Sequence, residues 1–402
     1  MSSQTLSHGQ ITPEGVQAVR DKIGIPLRAR NAFNRTSGYD PVRHWCEGIG
    51  DGNPLWYDRE YGPSSSVGMN LAPPSYLYSV CTSWVQLGLP GVHGFHSGSD
   101  WHWVKPIPHG EEIDFVIWVD DVEEKQSRTA GKAVVIYYST VYFDKNREVF
   151  GRVRSYSFRM ERSSERGSGK KATTELAKWS DEELEEIEQK YLNEKARGAE
   201  TRYWEDVEVG QELEPVHKGP LCLTDMIAFY AGAMVVPAPA HGLAVQDKQK
   251  HPHWWFRNKD NGGLEPPVRV HESEDVAIEA GLPAPYDIGV QRNSWLIHLL
   301  TNWAGDDGFI VRCDAQYRAF KFFGDFTTFS GRVERKYEEN GEHLVDLELW
   351  GISQRGENSI PGSATIALPS RDAGTNPVTS RVDASVQLED YLKDIPVTPP
   401  NL

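Results

Sequence analysis

Two stretches of the chain share one pattern of hydrophobic and polar positions. Residues 104–160 and 318–369 each open with a glycine turn, at Gly110 and Gly324. Three long segments rich in Val, Ile, Tyr, Phe and Thr follow each glycine, and short polar turns such as DKN at 144–146 and ENG at 339–341 separate them. This composition predicts an antiparallel meander in each half of the chain.

A long apolar segment precedes each meander and predicts a helix. The first is PSYLYSVCTSWVQL at 74–87 and the second is GVQRNSWLIHLLTNW at 289–303, and each is followed by a glycine. Apolar residues on nearly every face indicate buried helices. A buried helix ahead of a curved antiparallel sheet is the plan of a hot-dog unit. Its duplication at about 200 residues predicts an α+β double hot-dog, a fused pseudo-dimer.

The linker and boundaries follow from composition. ERSSERGSGKKATTE at 161–175 predicts a polar linker, and a charged helix follows it, with a capping box formed by Ser180 and Glu183. The predicted division is residues 1–160 for the first hot-dog unit, 161–200 for the linker with its helix, 201–370 for the second unit and 371–402 for a tail.

Composition and charge narrow the function classes. No window approaches the roughly 18 apolar residues of a membrane span, and the first residues lack the pattern of a signal peptide. Four widely spaced cysteines favour neither zinc nor disulfides, so a reducing cytoplasm is expected. A net charge of −16 argues against nucleic acid, but a few local Arg or Lys residues could still hold an anionic ligand.

The most specific motif is GDGNPLWYD at 50–58. It resembles G-D-x-N-P-[LI]-H-x-D, the signature of MaoC-like (R)-specific enoyl-CoA hydratases, and the first half resembles a FAS1-like dehydratase domain. The resemblance implies that Asp51 and a histidine hold the water that adds to an enoyl double bond. Trp56 occupies the histidine position. The alternative is that Asp51 and Asn53 only fix a turn.

The second half carries the complementary motif, VRVHESEDVAIEAGLPAPYDIGVQRNSWL at 268–296. It resembles the family stretch that follows the catalytic histidine, which His271 matches. Pro266 stands where spacing places the acid, and an insertion of about residues 237–267 puts Met234 and Val235 near that place instead. The carboxylate partners left open for His271 are Glu265, Glu272, Asp287 or a residue of the insertion.

The start of the second helix is a candidate for binding the thioester oxygen. Free N–H groups there could stabilise an enolate, and Gly289 would let the oxygen approach the backbone. The alternatives are a glycine required for packing and Asp287 as an N-cap. The prolines at 73 and 74 make the first helix less suitable, which favours the second site. Family resemblance implies that each Asp/His pair belongs to one unit, so Asp51 and His271 would lie in different sites.

Further residues are candidates for substrate contact. The segment HGFHSGSDWHW at 93–103 predicts either pocket lining or packing between the units. His241, His251 and His253 lie in the insertion, which is a better candidate for a pocket cover than for a metal site. CoA phosphates could be contacted by Arg269, Arg292, Arg318 and Lys321, although exposed charges are the alternative. The predicted substrate-binding residues are Asn53, Trp56, Trp101 and Arg292, and the predicted catalytic residues are His271, Asp51, Asp287 and Gly289.

The resemblance implies a lyase that adds water to a 2-enoyl thioester, an acyl-CoA, or removes it. No cofactor is expected, a homodimer is plausible for the fold, and neither nucleic acid nor a membrane is an expected partner. Two alternatives stay open, because both signatures are incomplete. One is a non-catalytic thioester-binding or partner subunit of a hydratase complex, and the other is a thioesterase of the hot-dog type.

Overall fold

The computed structural model describes residues 9–28, 33–85, 87–127, 131–161, 175–233, 238–393, 395 and 397. Most of the predicted linker at 161–175 lies outside these ranges. So do Met234 and Val235, which the sequence comparison placed near the missing acid. Within the described ranges, α-helices, short 3₁₀ turns and one large antiparallel sheet form the framework.

One nine-stranded antiparallel sheet runs through the molecule in the order β2-β3-β4-β1-β6-β9-β8-β7-β5. Its strands are β1 (His93–Trp103), β2 (Ile113–Ser127), β3 (Gly131–Asp144), β4 (Val149–Met160), β5 (Val216–Lys218), β6 (Phe309–Gln316), β7 (Thr327–Glu339), β8 (Glu342–Ser353) and β9 (Gly362–Ala367). Strands β1 to β4 repeat as β6 to β9 in the same spatial order. The two halves meet where β1 pairs with β6, with Arg312 opposite His102 and Gln316 opposite Gly98. Both predicted meanders are therefore present.

Twelve helices are present in the described ranges. They are α1 (Pro13–Arg20), α2 (Tyr39–Ile49), α3 (Pro54–Tyr57), α4 (Tyr61–Ser64), α5 (Leu77–Val80), α6 (Asp181–Asn193), α7 (Leu223–Ala233), α8 (His241–Lys250), α9 (Glu274–Glu279), α10 (Gly289–Ala304), α11 (Thr379–Val382) and α12 (Leu388–Leu392). The predicted capping box of α6 is present, with Ser180 and Glu183 bonded reciprocally. None of the described helices is long and apolar enough to span a membrane.

The two central helices differ sharply in length. Helix α10 matches the prediction, is buried from Val290 to Ala304 and contacts β1, β5, β6 and β7. The prediction for 74–87 was wrong, because a 3₁₀ turn (Pro74–Tyr76) and α5 end at Cys81. Side chains of β3 bond this segment: the Tyr142 hydroxyl donates to the Cys81 carbonyl (2.6 Å), and the Ser83 hydroxyl bonds the Thr140 hydroxyl (2.9 Å). This competition ends the helix.

Helices α2 and α7 precede the two signature regions and cross each other closely. A Cβ on Gly48 would lie 2.7 Å from the Ala228 carbonyl oxygen, and one on Gly232 would lie 2.3 Å from the His44 carbonyl oxygen. Only glycine fits at either position, because real Cβ atoms do not approach so closely. The crossing therefore packs α2 directly against α7.

The insertion folds against the segment that carries His271. Its described part contains α8, a 3₁₀ turn (Pro252–Trp254) and a two-stranded hairpin of Phe256–Arg257 with Leu264–Glu265. Phe256 shares a hydrophobic cluster with Val270, Tyr286 and Phe322. The insertion is thereby anchored beside the start of α10, and its role as a pocket cover stays a prediction.

Candidate functional site

The residues predicted for function lie in two separate places. Asp51, Asn53 and Trp56 surround the loop between α2 and α3, whereas His271, Asp287, Gly289 and Arg292 surround the start of α10. We call these the first site and the second site. As the family resemblance implied, Asp51 and His271 do not face each other.

In the first site, the signature residues bond one another. Asp51 accepts hydrogen bonds from the Asn53 backbone N–H (3.1 Å) and from the Trp56 indole N–H (3.0 Å). The Asn53 carboxamide caps α3 through the Leu55 N–H (3.0 Å) and donates to Asp306 (3.1 Å). These contacts are those expected if Asp51 and Asn53 serve to fix the turn between α2 and α3. Trp56, which stands at the histidine position of the signature, donates its indole N–H to the carboxylate.

Asp51 also meets a histidine that sequence reasoning missed. His298, in the middle of α10, places Nε2 3.7 Å from Asp51 and accepts a bond from the Lys218 ammonium at Nδ1 (3.0 Å). Burial raises the pKa of Asp51 to about 6 and lowers the pKa of Lys218 to about 8. Burial and the Lys218 charge hold the pKa of His298 well below its usual range. No local motif marks this pairing, because 247 positions separate the residues.

A cavity of about 40 Å³ lies beside Trp56, lined by Leu55, Leu71, Pro74, Phe309 and other residues. A buried water needs roughly 10–15 Å³ of such volume, whereas ligand pockets of drug size span roughly 300–1,000 Å³. The first site therefore has room for a few waters and none for an acyl thioester.

Trp101 was predicted to bind substrate, and the structure places it in the core of the first unit. It is 0 % exposed, stacks on Trp103 at 5.0 Å between ring centroids and meets Tyr78 edge-on at 4.8 Å. The side chain is thus used for packing within the first unit.

In the second site, His271 has the geometry of a base. It ends the 3₁₀ turn Pro267–His271, is partly buried, and its Nδ1 lies 2.8 Å from the Tyr286 carbonyl oxygen. A carbonyl only accepts, so Nδ1 carries the proton and Nε2 keeps its lone pair. Burial lowers the pKa of His271 to about 4. The imidazole is therefore neutral at pH 7, with Nε2 ready to accept a proton.

The carboxylates predicted as partners of His271 are paired with arginines instead. Glu272 and Glu265 both bind Arg269, Glu272 in a direct hydrogen bond and Glu265 at 3.5 Å. Asp287 binds Arg292 through both oxygens and is 0 % exposed. It is not the N-cap, which is Ile288. Among the described residues, these three candidates are held by cations rather than by the histidine.

The start of α10 carries hydrogen-bond donors with no acceptor. Gly289 begins the helix, so its N–H has no intrahelical partner. Gln291 is 0 % exposed; its Oε1 lies 3.4 Å from the Ile288 nitrogen, while its Nε2 has no partner among the described residues. A buried amide donor without a partner needs an oxygen acceptor, which a water or a ligand atom can supply. The sequence analysis did not single out Gln291, because one glutamine in a helix carries no motif.

The first unit also reaches this helix start. A Cβ built on Gly289 would lie 3.0 Å from both Cβ and Nδ1 of His96, which β1 contributes. The packing interpretation of Gly289 is thus supported on this side of the residue. His96 is one of the histidines in the 93–103 segment, and it packs between the units.

The cations predicted for CoA phosphates differ in availability. Arg292 and Lys321 are buried, and Arg292 is committed to Asp287 and the Ala319 carbonyl, so the prediction for Arg292 as a substrate contact was wrong. Arg318 is exposed and bonds Gln316 (2.8 Å). The residues that the structure describes contain no group of three His, Cys, Asp or Glu side chains placed to hold a metal.

A sequence profile of the FAS1-like dehydratase domain region matches residues 36–151, which contain the first signature. None of the curated proteins matches the chain significantly. The match covers part of the first unit and does not reach the second site.

Solved structures similar to this chain include a MaoC-like dehydratase, with a TM-score of 0.61 and 16% identity over 88% of this chain and 100% of the other. A MaoC domain protein dehydratase from Chloroflexus aurantiacus J-10-fl has a TM-score of 0.53 and 12% identity, covering 92% and 96%. A conserved hypothetical protein from Mycobacterium tuberculosis, described as having a double hotdog fold, has a TM-score of 0.51 and 11% identity, covering 87% and 98%. The α+β double hot-dog fold predicted from the sequence is confirmed.

Proposed function

We propose that this double hot-dog protein is a hydratase or dehydratase that acts on a 2-enoyl thioester, an acyl-CoA, at the second site. The observation that carries the proposal is the arrangement at the start of α10. His271 is a neutral base whose tautomer is fixed by the Tyr286 carbonyl. At the same helix start, the Gly289 N–H has no intrahelical acceptor and Gln291 Nε2 has no partner among the described residues. This combination suits a reaction that forms an enolate.

The proposed chemistry follows from these groups. The thioester oxygen accepts bonds from the Gly289 N–H and the Gln291 amide. Nε2 of His271 takes one proton from water as the water oxygen bonds to C3, and the electron pair of the double bond moves into the enolate. The imidazolium then returns that proton to C2, which gives a 3-hydroxyacyl thioester. Each step reverses for dehydration, and no cofactor takes part.

Two competing functions, thioester binding without catalysis and thioester hydrolysis, stay open because the second site lacks part of the signature. The three described carboxylates near His271 are paired with arginines, so the second site lacks the Asp/His pair of the signature. A thioester-binding or partner subunit would need the donors at the α10 start but no base. Hydrolysis of the thioester would use the same donors with water attacking C1 instead of C3. A homodimer in the cytoplasm stays a prediction for each of these functions.

The test is a panel of short, long and aromatic 2-enoyl-CoA esters, followed by absorbance in the conjugated-enoyl band and by mass spectrometry of the product in H₂¹⁸O. Loss of the band with one ¹⁸O in the 3-hydroxyacyl product supports the proposal. Release of free CoA with ¹⁸O in the carboxylic acid would assign a thioesterase instead.

A further inference from the structure

The proposed second site has a base but lacks a second group to orient the water. A single imidazole leaves the other hydrogen of the water without an acceptor. The signature supplies that acceptor as a carboxylate, and the described carboxylates around His271 are held by Arg269 and Arg292. We propose that His96 of the first unit is this second acceptor, so that the second site is built from both units. This inference rests on the proposed function.

The position of His96 supports this role. The ring belongs to β1, the strand that joins the two halves of the sheet, and it packs against Gly289 so closely that a Cβ added to Gly289 would lie 3.0 Å from Nδ1. The thioester oxygen is proposed to bind the Gly289 N–H. The carbons C1 to C3 of a bound enoyl group extend from that oxygen by a few bonds only, so His96 borders the reacting part of the substrate.

The bonding of His96 fixes which nitrogen is available. Nε2 lies 3.2 Å from the Gly98 carbonyl oxygen and 3.1 Å from the Ser99 hydroxyl oxygen. The carbonyl can only accept, so Nε2 carries the proton and Nδ1, on the Gly289 side, keeps the lone pair. Burial lowers the pKa of His96 to about 4, and the neighbouring Arg292 charge acts in the same direction. His96 is therefore a neutral acceptor at pH 7.

A hydrogen-bond network holds the ring in this orientation. The Ser99 hydroxyl that contacts His96 also bonds the hydroxyls of Tyr78 (2.9 Å) and Tyr317 (3.1 Å). Tyr78 continues to Oδ1 of Asn293 on α10 (2.8 Å), whose Nδ2 has no partner among the described residues. Ser99 lies in β1, Tyr78 in α5 and Asn293 in α10, and Tyr317 follows β6. The network therefore connects the His96 ring to α10.

The role keeps the proton balance of the proposed reaction. One hydrogen of the water goes to Nε2 of His271 and then to C2. The other stays on the oxygen throughout, donates to Nδ1 of His96 during attack and ends on the product hydroxyl. His96 thus neither gains nor loses a proton. In dehydration it accepts the same bond from the departing hydroxyl group.

The experiment compares His96→Leu, His96→Asn and His96→Asp, measured as kcat and KM for the best enoyl-CoA ester of the panel. We expect His96→Leu to lose about ten- to a hundredfold in kcat, the range for one lost hydrogen bond to a reacting group, with KM changed little. Asn presents its amide oxygen near the position of Nδ1 and should recover part of the loss. Asp supplies the carboxylate of the signature and should recover more. His102→Leu, on the exposed side of the same strand, is the matched control.

The outcomes separate the two proposals. If wild-type protein hydrates the ester and His271→Ala does not, but all three His96 variants match wild type, the role of His96 is overturned and the function stands. If no ester is hydrated by the wild type, both are overturned. Equal losses in all three folded variants, judged by circular dichroism, would also overturn the acceptor role, because a merely structural ring would not be rescued by Asn or Asp.

Discussion

The first and second sites occupy equivalent places in the two halves, yet they use their polar groups in opposite ways. In the first site, the Asp51 carboxylate bonds an indole and a backbone N–H beside a cavity of about 40 Å³. In the second site, donors at Gly289 and Gln291 stay unpaired among the described residues. Buried polar groups normally satisfy one another, so the proposed function assigns the donors of the second site to a ligand. Under the proposed function, the nearly intact signature lies in the half that does not carry the reaction.

The central helices account for much of this difference. The first begins with Pro74 and ends at Cys81, so it offers few free N–H groups and leaves its space to side chains of the sheet. The second begins with a glycine, has 16 residues and is buried from Val290 to Ala304. Its N-terminus keeps the partial positive charge that favours a developing enolate.

The largest expected effect comes from His271→Ala compared with Asp51→Asn. Removing the proposed base should lower kcat for hydration by at least about a hundredfold. The Asn variant keeps the shape of the first site and should change kcat by less than about threefold. Steady-state kinetics on folded protein measure both. The reverse ranking would move the chemistry to the first site.

Gln291→Leu should lower kcat by about tenfold or more, because one donor to the enolate is lost. A glutamate side chain has no N–H donor, and its negative charge repels the enolate. Gln291→Glu should therefore have a lower kcat than Gln291→Leu. Isothermal calorimetry with a saturated acyl-CoA checks that binding persists. Unchanged kcat in both variants would leave Gly289 as the single donor.

The pH dependence distinguishes the sites without a mutation. Because His271 must be neutral, log kcat/KM should stay level from about pH 8 down to about pH 5 and decline as the pH falls through about 4. Asp51, whose pKa is about 6, would produce a decline near pH 6 if its carboxylate took part. A break near pH 6 would therefore contradict the assignment, provided that circular dichroism shows folded protein throughout.

Asp51→Leu should act on stability rather than on turnover. It leaves the Asn53 N–H and the Trp56 indole without an acceptor and the Lys218 ammonium with one fewer anion nearby. The free energy of unfolding in urea should fall by about 1–3 kcal/mol. Glu60→Leu, on an exposed residue just after the same signature, is a control for general surface effects, with a smaller loss expected.

The smallest expected effect is that of Trp56→His, which completes the signature. We expect kcat to change by less than about twofold, because the cavity beside this residue has no room for an acyl thioester. A gain in hydration activity, especially one that persists in the His271→Ala background, would show that the first site can admit substrate. The two sites would then not differ in the way proposed.

The sequence predicted the fold well because the meanders and α10 follow hydrophobic periodicity, which depends on local residues. The prediction failed at 81–87, where Tyr142 and Ser155 take over bonds of the backbone from distant strands. For the proposed site, the motif predicted His271 and Gly289. It could not identify His96 or Gln291, nor the pairing of Asp287 with Arg292, because these depend on which groups remain unpaired after folding.

The pairing of β1 with β6 also has a consequence for biosynthesis. Strand β1 receives β4 on one side from nearby sequence, but its other edge stays open until β6 has been made, about 200 residues later. At roughly 5–20 residues per second, translation would leave that edge unpaired for about 10–40 s. An open strand edge invites pairing with other chains, so we expect faster translation or a bound chaperone to protect the nascent first half during this interval.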